Sequence, residues 1–256
     1  MSCTGQVATH RGGCMGWGPR SAWRPSRVPC APHLACRAAG GVRGPFQGRF
    51  GVYQLDDRDI QEVMGYRTGL SLLAAACASQ ALAHTAADAP WAGVLQAGSD
   101  VAAVSAIGGL AMSLSLIHIY VAPIKRALQA LAAVGAVGAA WVGLTQGGPL
   151  LQTLELHPIY LLAVGPAAAA LTGVCFKEAL CYGKAEAAVL MLGIPVLCLG
   201  HLTGLLAGGL ELAAADIVAI FLVLFAARKW TQPVSDDVGD KSVFEYLAKQ
   251  GDGAEL

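Results

Sequence analysis

Few residues in this chain combine a reactive side chain with a setting that makes it useful, and the clearest of them lie inside apolar sequence. Eleven residues separate Asp216 from Arg228, and His201 is fifteen residues from Glu186. Helical rise converts these spacings to roughly 18 Å and roughly 22 Å. A Gly-rich turn near Gly208 joins the two stretches, so the spacing predicts His201 and Asp216 at similar depth on antiparallel neighbours. A carboxylate in hydrocarbon is costly. A histidine beside it lowers that cost and can titrate near neutral pH. His84, with Gln80, and His157 are expected at the same face. Three histidines and a carboxylate there could bind a transition metal such as zinc, or simply hydrogen-bond each other and headgroup water. His118 is expected near the opposite face, with Tyr120 as its aromatic neighbour.

Other chemistry is thin. No Ser/His/Asp set, HExxH zinc motif or phosphate-binding glycine loop is present, which argues against an enzyme. No resident cofactor is implied. Lys177, Glu178, Tyr182 and Lys184 crowd both signs of charge into one short connection, which suggests a docking surface, a local ion-pair network or a plain solvated turn. Gly200, Gly204 and Gly208 recur every four residues, as do Gly165, Ala169 and Gly173; such faces let helix backbones approach closely in a membrane.

The elements that must carry these residues follow from composition. Of 256 residues, 55% are hydrophobic and 13% charged, against about 25% charged in an ordinary soluble domain. Mean hydropathy is +0.54. Formal net charge is +0, so nothing suggests a nucleic-acid partner; the partner implied is a lipid bilayer. A bilayer core needs about 20 helical residues, and six candidates meet or approach that length: 69–86, 101–120, 127–144, 158–176, 187–205 and 209–227. The expected fold is all-α, a polytopic bundle of six transmembrane helices kinked at Pro166 and Pro195. Residues 56–67 could form a short amphipathic helix leading into the first span, and 242–249 a short helix in the tail.

Lysines and arginines alternate between the connections. Arg58 and Arg67 precede the first span, Lys125 and Arg126 follow the second, and Lys177 and Lys184 follow the fourth. Arg228, Lys229, Lys241 and Lys249 follow the sixth, while the other three connections carry no lysine or arginine, and Asp88, Asp100, Glu155 and Glu211 lie in or beside them. By the positive-inside rule both termini share one side. Residues 1–55 hold seven arginines, no lysine and no acid. That is the composition of an organelle transit peptide, without the apolar stretch of a secretory signal. The expected organisation is a cleaved transit peptide at 1–45, a short stromal segment at 46–68, a membrane domain at 69–229 and a stromal tail at 230–256.

The stretches FQGRFGVY (46–53), YRTGL (66–70), HIY (118–120), LTGVCFKEALCYGKAEA (171–187), GHLTG (200–204) and GDKSVFEY (239–246) resemble an uncharacterised integral membrane family of cyanobacteria and plastids, domain of unknown function 2301. The resemblance implies a chloroplast membrane, thylakoid or inner envelope, with both termini stromal. It supplies no activity. The expected function is that of an auxiliary or assembly protein, meeting photosynthetic membrane complexes through its stromal loops. The alternative is a small-solute or ion transporter. Spans 1–3 and 4–6 would then be oppositely oriented repeats, with SLIHI (115–119) and CLGHL (198–202) in corresponding spans.

Overall fold

Among the described residues, Asp56 opens the helical part of the chain. Its carboxylate accepts from the Asp59 N–H at 2.8 Å while the Asp59 carboxylate accepts from the Asp56 N–H at 2.9 Å, a reciprocal cap that satisfies two otherwise orphaned donors. So capped, the amphipathic segment and the first apolar stretch run together as one helix, α1 (Asp57–Thr85). The computed structural model describes residues 43–119, 121–243 and 246. Residues 1–42, including nearly all of the expected transit peptide, lie outside the described residues, as do Tyr120 and most of the expected tail helix at 242–249.

A two-stranded hairpin, β1 (Phe46–Gln47) and β2 (Val52–Tyr53), precedes α1. After α1 come α2 (Ala92–Ala97), α3 (Ser99–Leu116), α4 (Ala122–Gln146), α5 (Leu150–Leu156), a 3₁₀ turn at Pro158–Tyr160, α6 (Leu161–Tyr182), α7 (Ala185–Thr203), α8 (Gly209–Thr231) and α9 (Val234–Val238). The architecture is all-α and polytopic, as expected. Five helical segments among the described residues are long and apolar enough to cross a membrane: α3, α4, α6 with its 3₁₀ turn, α7 and α8. The expected count of six is therefore met only if α1 is added. That helix carries Arg67, Gln80 and His84 along its length. Pro166 and Pro195 both lie inside unbroken helices.

The six long helices close a ring, because α1 packs on α3, α3 on α4, α4 on α6, α6 on α7, α7 on α8, and α8 returns to α1. Tyr66, Leu70, Leu114, Val174, Leu190 and Phe225 are all but fully buried in its core. Large apolar side chains on the outer faces, such as Val104, Leu162 and Leu192, stay exposed, as lipid contact requires. The closest approaches fall where glycines meet. A Cβ at Gly69 would stand 2.5 Å from the Gly109 carbonyl oxygen, and one at Gly138 would stand 2.1 Å from that of Ala163.

The expected packing face on Gly200, Gly204 and Gly208 is not built that way. Gly204 and Gly208 have φ of +69° and +57° and no atom within 4 Å of where a Cβ would lie. They end α7 and form the α7–α8 turn, in a backbone region that side chains disfavour. Gly200 makes room for Leu206, which folds back from that same turn to within 2.4 Å of a Cβ position. In the second small-residue set, Gly165 faces open space while Gly173 receives Leu128.

Gly138→Ala is expected to lower stability by about 1–3 kcal/mol, the range of overpacking. Gly165→Ala, with nothing to strike, is expected to be neutral or to gain up to about 1 kcal/mol from helix propensity. Thermal unfolding in detergent distinguishes the two.

Candidate functional site

The lysine- and arginine-rich end of the ring is closed by charge. Glu178 of α6, fully buried, accepts from the Tyr66 hydroxyl at 3.1 Å, from Lys177 at 3.3 Å, and from Lys229. Lys229 also donates to Asp237 of α9 at 2.7 Å. Arg67 of α1 donates to the other oxygen of Asp237 from Nε at 2.8 Å and from Nη2 at 2.6 Å, and the same Nη2 lies 3.1 Å from the carbonyl oxygens of both Gln232 and Pro233. Arg67, Lys229 and Asp237 are each at most 3% exposed. Every buried side-chain nitrogen and oxygen among the described residues has a partner, the condition under which a buried ionic group is tolerated. Burial alone would raise the carboxyl of Asp237, but Lys229 and Arg67 outweigh it and hold it below the usual aspartate range.

Four residues expected to dock a partner are drawn into this network or its margin. Glu178 is inside it, and Lys177 donates to Glu178. Lys184 donates to the Gln232 side chain at 2.8 Å. Lys177 lies 4.9 Å and Lys229 5.9 Å from the centre of the Tyr182 ring. Of the readings open to this connection, the geometry matches the ion-pair network, and the match has a physical cause. The chain after α8 turns at Pro233 and brings Asp237 back over the helix ends, so charges that sequence spacing places on a loop are covered. Arg67, Lys229 and Asp237 went unrecognised as a site, since the first two read as topology markers and the third as tail. On the same side His118 lies 3.2 Å from Glu62, and burial pushes its imidazole below the ordinary histidine value, with that glutamate opposing.

The opposite end holds a cavity of ≈ 620 Å³ between α1, α3, α5, α7 and α8. Its deep wall is apolar, with Ala76, Cys77, Cys198, Val218 and Leu222, and its mouth carries Gln80, His84, Glu155, His201 and Glu211. His84 and Glu155 face each other at 3.3 Å with side chains 39% and 52% exposed, so water reaches the mouth.

His201 and Asp216 are not brought together. His201 Nδ1 lies 2.5 Å from Glu211 and Nε2 lies 2.9 Å from the Leu154 carbonyl oxygen. Asp216 accepts from the Thr85 hydroxyl at 2.8 Å. The turn decides the register. His201 is three residues before Gly204 and Glu211 three after Gly208, so those two share a level, whereas Asp216 lies five residues farther along α8, roughly 7.5 Å by helical rise. Depths measured from the far ends at Glu186 and Arg228 cannot resolve that offset. His157 instead meets the Tyr160 ring edge-on. Among the described residues no group of three or more His, Cys, Asp or Glu side chains could hold a metal ion.

A family model described as an uncharacterized integral membrane protein (DUF2301) matches residues 112–246. The chain belongs to this family. The DUF2301 match runs from the last turn of α3 to Tyr246, and so includes Glu178, His201, Glu211, Lys229 and Asp237. No curated protein and no solved structure matches the chain.

Lys229→Met leaves two buried carboxylates short of a cation and is expected to destabilise by about 3–5 kcal/mol, the cost of breaking a buried pair. Adding Glu178→Leu restores charge balance and is expected to recover most of that loss in thermal unfolding. Asp237 contributes stability that is fully present above the unfolded aspartate value near about 3.9 and is lost as pH falls through its lower folded value. Asp237→Asn is expected to remove that acid limb from a plot of melting temperature against pH.

Proposed function

We propose that this DUF2301 protein is a membrane carrier that admits a small, predominantly apolar solute from the histidine-bearing face. The observation that supports this reading best is the pairing of a ≈ 620 Å³ cavity at one end of the ring with a buried, fully partnered ion cluster at the other. A pocket of this size, largely apolar with a few converging polar groups, is the usual form of a small-molecule site. A bundle open at one end and closed at the other is what alternating access requires.

The order of helices around the ring adds support. The triplets α1, α3, α4 and α6, α7, α8 occupy successive places, and His118 and His201 each meet a glutamate at opposite ends of the bundle. An auxiliary role through the α6–α7 connection is less well supported, because Lys177, Glu178 and Lys184 already engage the chain itself. We place the protein in a plastid membrane with the arginine- and lysine-rich end toward the stroma, with six spans including α1. The arginine-rich, acid-free residues 1–55 and the alternation of basic connections support that orientation.

Cys198 lines the cavity and Cys175 is buried in the core. A small charged thiol reagent applied from the histidine face is expected to label Cys198 well ahead of Cys175 in a background without Cys77 and Cys181. Ala215→Trp, which fills the cavity, is expected to slow that labelling severalfold. Equal inertness of Cys198 and Cys175 in folded protein would refute an open cavity.

A further inference from the structure

The mouth of the cavity is held by α5, whose Leu151, Leu154 and Glu155 contribute to its lining. Apolar packing of Leu150 and Leu154 beside Ala139 and Val142 seats α5, and three polar contacts fix it there: its Leu150 N–H donates to Asp100 of α3 at 2.9 Å, Glu155 faces His84 of α1, and the Leu154 carbonyl meets His201 of α7. The third has a particular proton requirement. A carbonyl oxygen can only accept, so Nε2 of His201 must carry a proton to bond Leu154. Nδ1 then stands 2.5 Å from a Glu211 oxygen, a separation at which two lone pairs repel unless a proton lies between them. His201 and Glu211 therefore hold two protons together, either as imidazolium with carboxylate or as neutral imidazole with carboxylic acid. If one leaves to water at the mouth, a single N–H remains for two acceptors. One of the two contacts must then break.

We infer that His201 and Glu211 form a proton-binding site that latches α5 across the cavity: the protonated pair holds the mouth as seen here, and loss of one proton releases α5 or the α7–α8 turn. The inference deepens the carrier reading, since it supplies the proton as the second species that such a carrier would bind. Side chains of the pair are 16% and 30% exposed, so water has access. The other titratable groups at this end of the bundle, among the described residues, are Cys77 and His84 from α1, Asp88 from the connection after it, Asp100 from α3, Glu155 from α5, His157 and Tyr160 from the turn before α6, Cys198 on α7 and Asp216 on α8. No lysine or arginine lines the cavity, so none substitutes for the missing proton.

Amide hydrogen exchange of the full chain in detergent reads the latch without any solute. Across a series from about pH 5 to about pH 8, protection of α5 or of the α7–α8 turn, corrected for chemical exchange, is expected to fall about tenfold relative to α6, as for loss of one charge-assisted hydrogen bond. Glu211→Gln presents an amide N–H to Nδ1 at every pH, keeps Nε2–H on Leu154, and is expected to hold α5 protected throughout. Asp216→Asn is expected to follow the wild type. Wild-type protection unchanged across this interval in both α5 and the α7–α8 turn overturns the proposal, as does a Glu211→Gln profile that falls like the wild type, or a profile flattened by Asp216→Asn instead. The Cys198 labelling described above reads the cavity separately, so an inert cavity with a working latch would overturn only the carrier reading.

Discussion

Two buried carboxylates hold the bundle's basic end together. Glu178 and Asp237 lie between Arg67 of α1, Lys177 of α6 and Lys229 of α8, so three ring helices and the short α9 converge on one set of charges. Apolar packing cannot choose which helix neighbours which inside a membrane, because lipid tails are as apolar as leucine. Fixed charge pairs can. With α1 joined to α8 through Asp237, the first and last long helices become neighbours and the row of helices closes into a ring.

That closure sorts the two ends of the molecule by chemistry. At the basic end, the buried polar side-chain atoms of the described residues satisfy one another. At the other, no lysine or arginine is available, and histidine–glutamate pairs stand at the rim of an apolar hollow. Small residues make the sorting possible. Gly69 against Gly109 and Gly138 against Ala163 draw α1 to α3 and α4 to α6 at backbone distance, while alanines at 76, 102, 103 and 106 leave the hollow unfilled.

Much of this was legible in the sequence, and what was not shares one cause. Apolar run lengths and the alternation of basic connections mark the helices, since both depend on local composition. Contacts across the ring depend on register. His201 finds Glu211 rather than Asp216 because Gly204 and Gly208 set the turn's length, and the same glycines that read as a packing stripe are there for their positive φ. Lys229 reads as a face marker because its burial depends on Asp237, eight residues later, folding back past Pro233. The polarity of α1 hides it among the apolar spans, although its 29 residues extend roughly 43 Å by helical rise, more than a bilayer core of about 30 Å needs.

The excess length of α1 projects a platform beyond the ring. There Tyr53, Leu55 and Val63 share a small separate core with Val238, next to the Asp237 that neutralises Arg67 and Lys229. A ribosome makes these residues in order, so Arg67 is made long before its counter-ion Asp237, and the platform lacks its last apolar side chain, Val238, until the same moment. Maturation of the fold is thus deferred to a single late event: the return of α9. A chain that stops before α9 leaves Arg67 and Lys229 without the Asp237 carboxylate, and Tyr53, Leu55 and Val63 without Val238.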